Sequence, residues 1–190
     1  MMQGIHLDCV ESHRSFRVLL QSMSRPGKVF DLPTPPVDEH DSLVDVLKAI
    51  LDPQVSYCLL EVDQRLEEQV QFQTGARLTT PEQADFLIAS AGCSHGKLSL
   101  AKRGRLEFPN EGATIVYVVE RLSEESADGV ELTGPGIKDK TRITIEGLAA
   151  GELKELKHVN REFPLGVDSI YLDRSGRLTS IPRSANIGGH

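Results

Sequence analysis

A single three-layer α/β/α domain built on a mixed sheet is the fold the sequence predicts, and three observations predict it. Strand-like and helix-like segments alternate along most of the chain, the pattern of strands joined by covering helices. The run ATIVYVVERL, residues 113–122, is nearly continuous in β-branched and apolar residues, as a strand covered on both faces would be. Close to the end, DSIYLD and RLTSIP are joined at RSG as a hairpin, so the sheet is not parallel throughout.

Each element has its own local reason. From Ser12 to Met23, Phe16, Leu19, Leu20 and Met23 recur at i, i+3, i+4 and i+7, which predicts a helix with that stripe against a core. SRPG ends it, because Pro26 disfavours helix at Arg25 and Gly27 permits the turn into KVFDL. Asp41 is placed to cap a second helix whose buried face is Leu43, Leu47, Ile50 and Leu51. VSYCLLE then reads as strand and RLEEQVQF as helix. TPEQ reads as a short helix start, with Thr80 as cap and Pro81 in the first turn, and DFLIAS as a buried strand. ATIVYVVERL belongs at the centre of the sheet. Short strands are expected at 130–133 and 141–146, a helix around AGELKELKHVNREF, and then the hairpin; no internal repeat is visible.

The bulk properties narrow the class. The 190 residues suit one domain, taken as 1–187, with the closing GGH at 188–190 read as a tag remnant. Apolar residues make up 39% and charged residues 26%, the balance of a packed globular chain. No apolar run reaches the roughly 18 residues of a spanning helix, and a cytoplasmic protein without membrane contact is expected. Cys9, Cys58 and Cys93 are odd in number and widely spaced, which fits a reducing compartment. A net charge of -7 argues against nucleic acid, as does the absence of tryptophan as a stacking surface.

Four features carry candidate chemistry. Gly134-Pro135-Gly136 satisfies neither the dinucleotide fingerprint, since Asp139 stands where the third glycine belongs, nor the Walker pattern; a tight turn is the reading it favours. If the chain runs extended from Ile137 to Glu146, then Lys138, Lys140 and Arg142 share one face, as an anion-binding row or as a solvated strand face. Cys93 and His95 in GCSHG sit at i, i+2, spaced for a nucleophile and its base, and a small polar loop explains the segment as well. His6, Cys9 and His13 invite a metal reading, but no matching ligand pair is visible elsewhere, so a mobile N-terminus and no metal are expected. Paired carboxylates such as Glu67-Glu68 and Glu124-Glu125 read as solvated faces.

Six segments in register carry a resemblance: FRVLLQSMSRPG (16–27), PEQADF (81–86), GRLEFPNEGAT (104–114), LTGPGI (132–137), FPLGVD (163–168) and IPRS (181–184). Together they resemble the PhnH family, the H subunit of the bacterial carbon-phosphorus lyase core complex. Phe16, Arg17, Pro26, Gly27, Gly134, Pro135, Gly136, Pro164, Gly166, Asp168 and Pro182 are the signature positions, with structural roles. Arg105 stands where a small hydroxyl residue is expected, and AGCSHG matches no family pattern.

The resemblance implies a cofactor-free accessory subunit with no catalytic residue of its own. It implies the G, I and J core subunits as partners, and a homodimer when isolated. In related complexes a phosphonate displaces adenine from ATP to give a ribose-phosphonate triphosphate, before another subunit breaks the C-P bond. The implied fold is similar to the large domain of pyridoxal-phosphate-dependent transferases without the Schiff-base lysine. Arg183, after Pro182, joins Lys138, Lys140 and Arg142 as an anion candidate, against the alternative of a surface ion pair.

Overall fold

A computed structural model describes residues 2–36, 38, 40–124 and 128–188, with residues 2–9 as backbone only. Helix α1 (Met2–Ser24) leads to strand β1 (Phe30–Asp31), helix α2 (Asp41–Ile50), strand β2 (Ser56–Leu59), helix α3 (Gln64–Thr74), and strands β3 (Arg77–Leu78) and β4 (Phe86–Ala89). Two short 3-10 turns precede strands β5 (Thr114–Val119), β6 (Arg121–Glu124), β7 (Val130–Thr133) and β8 (Thr141–Glu146). Helix α4 (Glu152–Val159) and strands β9 (Asp168–Asp173), β10 (Arg177–Ile181) and β11 (Asn186–Ile187) complete the described chain.

The main sheet is mixed, in the order β1-β10-β9-β5-β4-β2-β3. Strands β3, β2, β4, β5 and β9 are parallel, while β10 returns antiparallel to β9 as the expected hairpin and β1 closes that edge. Strand β5 is central, and its continuous apolar run has a direct cause. Val116 packs with the helices on one face, whereas Ile115, Tyr117 and Val119 pack on the other.

The two faces are covered differently. Helices α1, α2 and α3 bury Leu19, Leu47 and Leu66 against Tyr57, Ile88 and Ile170 of the sheet. On the other face the expected helical layer is replaced by a four-stranded antiparallel sheet, β11-β7-β8-β6, with α4 beside it. ATIVYVVERL supplies both sheets: it breaks at Glu120, whose N–H donates to the Glu146 carbonyl, and Leu122 enters the core beneath the small sheet. Among the described residues no helix is long and apolar enough to cross a membrane.

Several local expectations are corrected. Helix α1 starts at Met2 rather than following a mobile lead, and the His6 and Cys9 side chains lie outside the described residues. Its buried face is Ser15, Leu19 and Ser22, turned from the expected stripe, while Phe16 and Leu20 are 41% and 54% exposed. The short Ser22 side chain lets the helix lie close on β10, where the Ser22 and Ser180 hydroxyls meet at 2.6 Å. His40, not Asp41, occupies the cap of α2; Asp41 instead accepts the Asp38 N–H at 2.7 Å. TPEQ makes one turn on the Thr80 carbonyl and no helix, because the Asp85 N–H is already drawn to Ser56 at the start of the sheet. Helix α4 stops at Val159, where Asn160 turns to clamp both backbone groups of Val167. Gly188 donates to the Glu131 carbonyl, extending the β11–β7 pairing past residue 187; residues 189 and 190 lie outside the described chain.

Candidate functional site

Two signature turns lock together. In LTGPGI the Ile137 N–H closes on the Gly134 carbonyl at 3.1 Å, with Pro135 and Gly136 at the corner, and Gly136 has a φ of +83°. This is the tight turn that the sequence favoured. A Cβ at Gly136 would lie 2.2 Å from the Ser24 carbonyl oxygen, and one at Gly27 (φ +77°) would lie 2.7 Å from the Thr141 methyl. SRPG and LTGPGI therefore approach each other only because both carry glycine at the contact.

The junction shapes a groove of about 590 Å³ lined by Arg25, Pro26, Lys28 and residues 136–142. The expected extended row is not present: the strand begins only at Thr141, because the Gly-Pro-Gly turn bends residues 134–140 away from sheet geometry. Bending brings Lys138, Lys140 and Arg142 to the same hollow as Arg25 and Lys28, two cations sequence reasoning missed. The available signal was their placement on either side of Pro26-Gly27.

Carboxylates meet part of this charge. Glu131 stands 3.2 Å from both Lys140 and Arg142, and these two cations hold its carboxyl below the usual range. Burial raises the Glu124 carboxyl, but the Val29 N–H and Lys28 outweigh burial and hold it low; Lys28 is 3.0 Å away. Glu124 is thus a clamp on an exposed face. Glu125 lies outside the described residues. Asp139 is the one carboxylate among the lining residues, and neither Arg25 nor Lys138 has an ion-pair partner among the described residues.

Arg183 is placed elsewhere and is occupied. It is only 13% exposed, pairs with Asp168 at 2.6 Å, and donates to the Pro109 and Gly112 carbonyls. It joins three signature segments, GRLEFPNEGAT, FPLGVD and IPRS, over the amino ends of β5 and β9. A fourth meets the same edge through Asp85, which accepts from Ser56 and pairs with Lys102. Signature residues thus gather at two structural joints: Pro26, Gly27, Gly134 and Gly136 at one, Asp168 and Pro182-Arg183 at the other. Phe16 and Arg17 remain on the outer face of α1.

Cys93 and His95 do meet. The Cys93 Sγ lies 3.6 Å from His95 Nδ1, and His95 Nε2 lies 3.3 Å from Glu61 Oε1. Glu61 was not anticipated, since it stands just beyond β2 and reaches the loop only because β2 pairs in parallel with β4.

Comparisons with known proteins identify the family. Residues 3–188 match the family described as bacterial phosphonate metabolism protein (PhnH). The chain is also 32% identical over 182 residues, 91% of this chain and 84% of the relative, to a Stutzerimonas stutzeri protein named as a putative C-P lyase subunit, HtxG.

Proposed function

The chain belongs to the PhnH family of bacterial phosphonate metabolism proteins, and from that premise we propose that it is an accessory subunit of the carbon-phosphorus lyase core, holding a polyphosphate-bearing ligand while the ribose triphosphate of ATP passes to a phosphonate. The observation that carries this reading is the groove where Arg25, Lys28, Lys138, Lys140 and Arg142 converge on an otherwise acidic protein. Such a cluster suits the closely spaced charges of a triphosphate, with Arg offering paired donors and Lys mobile point charges. Arg183 is left out of this role because Asp168 and two carbonyls occupy its guanidinium.

The G, I and J core subunits are the proposed partners, and a homodimer is the proposed isolated state. Phe16 and Leu20, exposed side by side on α1, support an assembled surface. The cytoplasm is the compartment this role requires. The likeness to the large domain of pyridoxal-phosphate-dependent transferases is supported by the parallel centre and antiparallel edge of the main sheet. A cofactor-free role is part of the same proposal.

The test is titration of ATP and of inorganic tripolyphosphate into the purified protein by calorimetry, at about 50 and about 300 mM salt. Binding that weakens steeply with salt, and by about tenfold or more in an Arg25→Gln/Lys138→Gln variant, supports the groove. Salt-independent or variant-insensitive binding rejects it. Co-expression with the core subunits tests membership separately: elution outside the complex particle rejects the subunit role.

A further inference from the structure

We propose that Cys93, His95 and Glu61 form a nucleophilic-thiol site that accepts an acyl group from an uncharged activated ester or thioester. The site lies at the carboxyl ends of β2 and β4, adjacent parallel strands, the end at which open α/β sheets place their chemistry. It is distinct from the cationic groove and from every signature segment.

The three groups are held in succession. Cys93 Sγ faces His95 Nδ1 at 3.6 Å, and the opposite ring nitrogen faces Glu61 Oε1 at 3.3 Å. Glu61 is fixed through its other oxygen, which accepts from the Ser90 N–H at 2.9 Å and the Ser90 hydroxyl at 3.1 Å. Its Oε1 is fully buried and accepts no hydrogen bond, and His95 Nε2 stands 3.3 Å from it as the group placed to satisfy it. Thiol, imidazole and carboxylate thus follow one another in the order of an activated thiol, with the imidazole–carboxylate contact at ion-pair distance rather than a formed hydrogen bond.

The loop is built to hold that geometry. The Gly92 carbonyl accepts from the Ala149 N–H at 2.9 Å, and Ser94 is tied by its N–H and hydroxyl to buried Glu152 at 2.8 and 3.0 Å. Cys93 and His95 alternate with these anchors. His95 is the one non-glycine residue with positive φ among the described residues, at 53°. A side chain held in that sparsely populated region by its surroundings is the kind of local strain found at functional sites.

The charges define the substrate class. Glu61 is the carboxylate beside the imidazole, and Lys97, the cation closest in sequence, is directed to the Leu60 carbonyl at 2.7 Å. The Glu61 carboxylate beside the imidazole repels an anionic substrate, and the Lys97 ammonium is turned to the Leu60 carbonyl, so an uncharged carbonyl carbon is favoured. His95 takes the thiol proton as Sγ attacks that carbon. The new C–S bond forms, the bond to the leaving alkoxide or thiolate breaks as the tetrahedral adduct collapses, and His95 returns the proton to the leaving group. His95 is half exposed, leaving the approach to the thiol accessible.

The test uses the full chain with p-nitrophenyl acetate under single-turnover conditions, followed by peptide mass mapping. Acetylation of Cys93 at least about tenfold faster than glutathione is expected, with buried Cys58 unmodified. His95→Gln should slow it by roughly 100-fold. Glu61 is a positioning residue: Glu61→Gln keeps the Ser90 contacts yet should slow acetylation and shift its pH profile, and Glu61→Asp should restore part of the rate. A wild-type Cys93 that reacts no faster than glutathione, or acetylation mapped to another residue, overturns the proposal without reference to any variant.

Discussion

Replacing Gly136 with alanine probes the joint between the two signature turns. At φ +83° an alanine occupies the left-handed region, at a penalty of about 1–2 kcal/mol. The added methyl would also stand 2.2 Å from the Ser24 carbonyl oxygen and 3.0 Å from Pro26 Cδ. Neither contact is the end of a flexible side chain, so backbone has to move, adding about 1–3 kcal/mol as other overpacked sites do. The total is about 2–5 kcal/mol. For a chain of this size each kcal/mol lowers Tm by about 2–4 °C, so a fall of roughly 4–20 °C is expected in a circular-dichroism melt. Gly151→Ala separates the two contributions, because Gly151 has φ +96° and an added methyl there would meet nothing within 4 Å. It should show the dihedral penalty alone. If Gly136→Ala melts within about 2 °C of the parent, or no lower than Gly151→Ala, the interlocked-turn argument is refuted.

Other outcomes follow from the same physical picture. Arg183→Met should destabilise by about 3–5 kcal/mol, read as a lowered urea midpoint, since it leaves Asp168 and two carbonyls without their shared donor. A loss below about 1 kcal/mol would reduce the Arg183 joint to a surface ion pair. Asp173 gives a pH prediction. Burial raises its carboxyl, but donors from Ser175, Arg177 and the Leu122 N–H outweigh burial and leave it below the ordinary value. The folded value is therefore depressed. Its stabilisation is complete above the unfolded value of about 3.9 and is lost as pH falls from there through the folded value. Urea midpoints measured from about pH 6 to about pH 3 should fall in that window, and Asp173→Asn should be less stable at about pH 6 with a shallower acid decline; an unchanged slope would contradict the assignment.

What sequence alone could determine was whatever depends on neighbours along the chain. The 2-residue and 3.6-residue periodicities are set locally, so β2, β4, β5 and the β9–β10 hairpin, along with α2 and α3, were legible. The Gly134-Pro135-Gly136 turn was legible for the same reason, since its corner dihedrals belong to three adjacent residues. The six signature segments identified the family before any of their contacts were visible.

Tertiary structure decided which faces meet. Periodicity marks Phe16 and Leu20 as apolar but is blind to how closely a helix may approach a strand, and the buried face went to Ser15, Leu19 and Ser22, with the small Ser22 hydroxyl letting α1 settle on β10. The split of ATIVYVVERL between two sheets came from partners supplied by Glu146 and Asp173, both distant in sequence. The cation groove needed Arg25 and Lys28 to be folded against a loop from far later in the chain, and Glu61 reached Cys93 and His95 only through strand pairing. Charge and hydrogen-bond donors act over a few ångströms of space whatever their separation along the chain, so local pattern named the chemical groups and the fold alone brought them together.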